Sequence, residues 1–209
     1  MKHKTELVFV IDPMCSWCWG FHPIMQELRQ NYTGAYTYSL VVGGLRTTGQ
    51  MPWNEKSKTY LAQNWQAVAQ KTHQTFNHNL LNKTDFDYNT YPACKAIVTV
   101  RELWGEEAAF DYLSRIQKAF YVNGIDITSL EVLSTFISQD QEILDQEILD
   151  REAFIDFYQS PRAELLMHHD FSKARSMGAN AFPSVVKVDS DGHMVCLSGY
   201  RSLEDILQI

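Results

Sequence analysis

The chain of 209 residues is long enough to bury a sizeable core, as one large domain or a domain carrying an insertion. Its 45% hydrophobic and 21% charged residues are ordinary for a globular protein, and a net charge of −7 argues against nucleic acid or anionic membrane as partner. Four cysteines are too few for a disulfide scaffold, no apolar stretch approaches a membrane span, and the basic start Met1-Lys2-His3-Lys4 leads into an apolar run too short for a secretory signal, so the chain is expected in the cytoplasm.

Leu7 to Ile11 is an unbroken apolar run and reads as a buried strand. Phe21, Ile24, Met25 and Leu28 recur at helical spacing and mark one face of a helix from about Cys15 to Gln30. After a turn at Gly34, the β-branched and aromatic stretch Tyr36 to Val42 reads as a second strand, stopped by Gly43-Gly44. This β-α-β order implies parallel strands and a right-handed crossover. From about Asn54 to Met177 the pattern is helical, with Tyr60, Leu61, Trp65 and Val68 on one face and Phe110, Leu113, Ile116, Gln117 and Phe120 on another. Thr128 with Glu131 makes a capping-box signature for a helix over Leu130 to Phe136. Gln139 to Phe157 holds Gln-Glu-Ile-Leu-Asp twice in tandem, read as an acidic, solvated helix face. Ala163 to Met177 is expected to be a further helix ending at Gly178. Strands return at Ser184 to Val188 and His193 to Leu197 around the turn Asp189-Ser190-Asp191-Gly192, and Ser202 caps a last helix, Leu203 to Ile209.

The chemistry is concentrated in Cys15-Ser16-Trp17-Cys18, at the junction of the first strand and the first helix. A helix start offers unpaired N–H groups and a positive partial charge, both of which favour a thiolate. The spacing puts the second thiol one turn further on, within reach of a short disulfide. Cys94 and Cys196 lie singly and far apart, which disfavours a zinc site with the first pair; both are expected as small buried apolar residues. In His168-His169-Asp170 the adjacent histidines point about 100° apart on a helix, so a surface helix is expected and no metal is assigned. Trp17, Trp19 and Phe21 are candidates for an apolar platform around the thiols, with Trp19 equally readable as core. Arg46, after Gly43-Gly44, is open to two readings, a substrate carboxylate or a surface salt link.

The order of elements resembles the thioredoxin superfamily in its DsbA-like branch. The residues carrying the likeness are Cys15-Ser16-Trp17-Cys18, Pro23 eight residues after the first cysteine, Ala181-Phe182-Pro183-Ser184 and Gly199-Tyr200. Asp12-Pro13-Met14-Cys15, Val42-Gly43-Gly44-Leu45-Arg46 and Tyr91-Pro92-Ala93-Cys94-Lys95-Ala96 are similar to the FrnE-like subgroup. The resemblance implies an α/β thioredoxin-like fold, formed by residues 1–48 and 178–209, with a large all-helical insertion over residues 49–177. It further implies a thiol-disulfide oxidoreductase or isomerase acting on protein or small-molecule disulfides. Cys15 would attack and Cys18 resolve, while a cis Pro183 would present the Phe182 backbone to an extended substrate and Ser16 and Trp17 would complete the substrate-binding surface. No bound cofactor is expected; glutathione is a candidate reductant or co-substrate. DsbA-type oxidants usually carry His where this chain has Trp17, so a less oxidising protein is expected, within a family range of about −270 to −120 mV. Where many relatives place a buried acid, six residues before the first cysteine, this chain has Phe9. Asp12 is a candidate substitute, although a turn residue before Pro13 is the favoured reading. The alternatives are a glutathione-dependent isomerase or transferase of the kappa or 2-hydroxychromene-2-carboxylate isomerase type, and a non-catalytic redox-sensing or chaperone-like binder.

Overall fold

The computed structural model describes residues 4–47, 51–137 and 150–209. Its elements are β1 (Thr5–Ile11), α1 (Ser16–Asn31), β2 (Tyr36–Val42), α2 (Glu55–Thr72), a 3-10 helix (His78–Asn82), α3 (Tyr91–Tyr121), α4 (Leu130–Thr135), α5 (Arg151–Gln159), α6 (Pro161–Ser176), β3 (Ser184–Val188), β4 (Met194–Ser198) and α7 (Leu203–Leu207). The strands form one sheet in the order β2-β1-β3-β4. β1 and β2 are parallel, with Thr5 opposite Tyr36, whereas β1–β3 and β3–β4 are antiparallel. Helices α2 to α6 all fall between β2 and β3, the thioredoxin-like arrangement with a helical insertion. Most of the tandem Gln-Glu-Ile-Leu-Asp repeat lies outside the described residues.

β1 reads as an apolar run without alternation because both of its faces are covered. Leu7, Phe9 and Ile11 face the larger core, where the Phe9 ring meets Phe21 of α1 and Phe110 of α3. Val8 and Val10 face a smaller cluster with Val41, Val186 and Ala174 of α6. In α1, Pro23 has no N–H to offer the Trp19 carbonyl one turn back. The Gln74 side chain makes up that loss, donating to the Trp19 oxygen at 2.9 Å. α3 is broken at Gly105, whose φ of 87° no other residue type adopts without strain.

β2 is an edge strand, and charged side chains close its outer side. The Leu40 N–H donates to Glu106 and the Val42 N–H to Asp170, each at 3.0 Å, while the Leu40 carbonyl accepts from Arg101. Asp170 in turn accepts from both terminal nitrogens of Arg101 at 2.8 Å. This corrects the reading of His168-His169-Asp170 as wholly a surface stretch: the two histidines are exposed, but Asp170 is buried because it serves β2. A second correction concerns α4. Its cap is Ser129, whose hydroxyl accepts from Val132 N, because Asp126 captures both the N–H and the hydroxyl of Thr128. The expected stop at Gly178 and the Ser202 cap are present, the latter as a capping box with Asp205. The last helix ends at Leu207, short of Ile209.

Candidate active site

β1 delivers the chain to the site through a compact turn. The Asp12 carbonyl accepts from Cys15 N at 3.1 Å, and Asp12 Oδ1 accepts from Met14 N at 2.9 Å. Cys15 is thereby set as the N-cap of α1, with its carbonyl receiving Trp19 N at 3.0 Å. No acidic residue occupies the first turn, and the cap makes no side-chain hydrogen bond to it, so the helix N–H groups stay available to the sulfur. Across the site the peptide Phe182–Pro183 is cis, and the Cys15 thiol donates to the Phe182 carbonyl oxygen at 3.5 Å. Residues far apart in the chain thus form one surface, as the motif pair implied.

The two thiols differ in surroundings. Cys15 is 6% exposed and Cys18 1%. The Cys18 sulfur accepts from Asp12 N at 3.5 Å and lies within hydrogen-bonding range of Cys15. Burial first, and then the neighbouring Cys15, push the Cys18 thiol well above its ordinary range.

Asp12 meets Cys18 through its backbone N–H, not through its carboxylate. It forms the turn, and it is also a fully buried carboxylate whose Oδ2 accepts from Leu45 N at 2.6 Å and from the Cys94 thiol at 3.6 Å. Burial pushes its carboxyl up, against the pull of these donors. Cys94 is buried as expected and Cys196 only partly so. Among the described residues, the one set of three or more side chains able to share a metal ion is Asp189, Asp191 and His193, exposed on the hairpin turn; neither cysteine pair enters it.

Of the proposed aromatic platform, only Trp17 stands at the surface, its ring 5.6 Å from that of Tyr200. Phe21 is fully buried, and Trp19 is core, stacked on Tyr121 and hydrogen-bonded to the Thr75 carbonyl. The Ser16 hydroxyl accepts from Asn64 of α2 at 3.0 Å, which ties the helical insertion to the active-site helix. Trp17 and Phe182 stand between two clefts. One, of about 150 Å³, is lined by Cys15, Ser16, Arg46, Tyr60, Asn64 and Tyr88 among others. The other, of about 500 Å³, is formed by Trp17, Phe182, Tyr200, Gly199, Ala181 and Lys71. Asn64, Tyr88 and Lys71 carried no signal in the sequence, being helix-face or loop residues whose role appears only when the insertion folds over α1.

A family described as Thioredoxin matches residues 8–208. The crystal structure of a candidate protein disulfide isomerase from Nitrosomonas europaea is similar at 30% identity and a TM-score of 0.83, over 99% of this chain and 95% of that one. The cytosolic disulfide reductase DsbM from Pseudomonas aeruginosa is similar at 26% identity and a TM-score of 0.73, over 92% and 89%; it is also known in a structure with GSH. The ClpXP adapter protein SpxH of Bacillus subtilis is 24% identical over 88% of this chain, which spans 58% of that relative's length. At the family level the likeness is to disulfide oxidoreductases. Among the described residues no helix is long and apolar enough to cross a membrane. With a cis-proline loop facing a helix-capping cysteine, and with helices set between β2 and β3, the chain belongs to the thioredoxin family in its DsbA-like form.

Proposed function

We propose that this protein is a cytoplasmic dithiol–disulfide oxidoreductase of the FrnE-like kind that works in the reducing direction on protein or small-molecule disulfides. The observation that carries this reading is the Cys15 sulfur at the start of α1, facing the Phe182 carbonyl with Cys18 sealed behind it. Cys15, as thiolate, attacks one sulfur of the substrate; that S–S bond breaks, and the departing thiolate takes a proton from water. Cys18 then gives up its proton and attacks the Cys15 sulfur, releasing the second thiol and leaving a Cys15–Cys18 disulfide. The substrate has gained two electrons, and two equivalents of a small thiol such as glutathione restore the dithiol. Pro183 and the Phe182 backbone hold the substrate as an added strand, with Ser16 and Trp17 beside it. Trp17 brings no cationic ring to stabilise the reduced thiolate, which favours a reducing poise. The likeness to a cytosolic disulfide reductase supports the same direction and compartment.

The test is insulin reduction by the wild type and Cys15→Ser, together with the potential of the pair in a glutathione buffer. Turnover lost in Cys15→Ser and a potential below about −220 mV are expected; equal rates, or a potential near −120 mV, overturn the reading. A second reading, a redox-sensing binder, is favoured by the adapter protein among the relatives. Negligible turnover by the wild type would select it.

A further inference from the structure

The outer side of β4 is unfinished backbone. In the hairpin of β3 and β4, Asp189 N donates to the His193 carbonyl at 3.0 Å, and the register sets Val195 opposite Lys187 and Leu197 opposite Val185. Hydrogen-bonded and non-hydrogen-bonded pairs alternate along an antiparallel ladder. His193, Val195 and Leu197 therefore turn their backbone groups inward to β3, while Met194, Cys196 and Ser198 turn theirs outward. β4 is the last strand of the sheet, so those outward groups have no strand beside them. Among the described residues, only the Ser198 carbonyl is met by a side chain, accepting from Arg201 at 3.2 Å. The strand Met194–Ser198 holds no charged residue and no proline to discourage pairing, and Met194 and Val195 are 53% and 48% exposed.

Opposite charges stand at the two ends of this edge. Arg201 lies beyond one end, its guanidinium placed on the outer side by the Ser198 carbonyl. Asp191 lies beyond the other, in the turn, with its N–H held by Asp189 Oδ1 at 2.9 Å. Both are exposed, and among the described residues neither is in an ion pair. Arg201 acts on Asp205 only from beyond ion-pair distance.

We propose that β4 is a self-pairing edge, on which a second copy of this chain docks antiparallel about a two-fold axis at Cys196. Centred there, the pairing sets Met194 opposite Ser198 of the second copy and Cys196 opposite its own counterpart, so every outward group meets another outward group. Val195 then stands against Leu197 of the second copy in a non-hydrogen-bonded pair, where side chains come closest. The same centre brings Asp191 alongside Arg201 of the second copy, twice by symmetry. Arg201 gives up the Ser198 carbonyl to the second copy's Met194 N–H and takes a carboxylate instead. A slip of one residue would set outward groups against inward ones, and a slip of two would part Asp191 from Arg201. The edge is short, so the interface belongs to the weak class that buries less than about 1,200 Å².

The experiment is sedimentation equilibrium on the full chain, kept reduced so that no disulfide links the copies. The mass is expected to rise with concentration from that of one chain towards that of two, with a dissociation constant on the order of 100 µM at low salt. Asp191→Arg alone, or Arg201→Asp alone, sets like charges together and should weaken association at least about tenfold. The double exchange, Asp191→Arg with Arg201→Asp, restores opposite charges and should return it close to the wild-type value. Amide exchange on the wild type needs no variant to fold: with rising concentration the N–H groups of Met194, Cys196 and Ser198 should gain protection, while those of Val195 and Leu197, already paired to β3, should not change. A single-chain mass up to about 1 mM, or a dimer that both single variants leave intact, overturns the proposal. Protection gained on another face, or gained at β4 only when an unrelated extended peptide is added, overturns it as well.

Discussion

Gly43 and Phe182 meet as notch and ring: a Cβ at position 43 would overlap the edge of the Phe182 ring. Gly43 prolongs β2, its N–H donating to the Ile11 carbonyl at 2.9 Å, so the notch is fixed to the sheet. The carbonyl of Phe182 is the one that receives the Cys15 thiol. Gly43→Ala is therefore expected to displace the ring and the loop behind it, slowing insulin reduction by on the order of tenfold to a hundredfold and destabilising the fold by about 1–3 kcal/mol. Denaturant unfolding of Gly43→Ala, Phe182→Ala and the pair checks this. The pair should cost less than the sum of the two, and strict additivity would show that ring and notch do not bear on each other.

Asp170 and Arg101 form a bidentate pair whose carboxylate is nearly sealed from water, with side-chain exposures of 4% and 19%. Asp170→Ala strips Arg101 of its charged partner, leaving it the Leu40 carbonyl, and leaves the Val42 N–H without an acceptor; it should cost about 3–5 kcal/mol in urea unfolding. Replacing both partners with apolar residues, as in Asp170→Leu with Arg101→Met, should cost clearly less, because no buried charge is then stranded.

His22 gives the fold a defined response to acid. Its ring packs on Trp19, and its Nδ1 lies 3.2 Å from Gln117 Oε1. Burial, the main cause, lowers its pKa from 6.5 to about 4. Between these values the unfolded chain binds a proton that the folded chain does not. The contribution is thus fully present above 6.5 and is lost as pH falls towards 4, by on the order of 3 kcal/mol. His22→Gln should lose less stability than the wild type between about pH 7 and pH 4. Parallel curves for the two proteins in urea would contradict this.

Thiol labelling should follow burial. In the reduced native protein, iodoacetamide is expected to reach Cys15 and the half-buried Cys196 at least about tenfold faster than Cys18 or Cys94, whose thiols burial pushes well above their ordinary range. Peptide mass mapping over time reads the order directly, and early modification of Cys18 would contradict the sheltered role assigned to it.

The sequence made legible whatever a short stretch of chain decides for itself. Cys15 at a helix start, the run Leu7 to Ile11 and the Ser202 cap are all local, and the structure has them where expected. Phe182–Pro183 was legible through family likeness alone, because its meaning depends on a cysteine 167 residues away. What stayed hidden answers demands from distant parts of the fold. Asp170 looked like part of a solvated helix until the Val42 N–H, 128 residues off, needed an acceptor. For Asp12 the turn was the favoured reading and the buried acid the other, because nothing local revealed that Leu45 and Cys94 would close over it. Thr128 lost its cap to Ser129 through competition from Asp126, which spacing rules do not weigh.

The guarding of β2 by Glu106, Arg101 and Asp170 has a consequence for assembly. With those backbone positions already occupied, an incoming segment finds no ladder to join along Leu40 to Val42. Along that stretch the sheet cannot grow, whereas the opposite border, β4, carries Met194 and Val195 facing solvent.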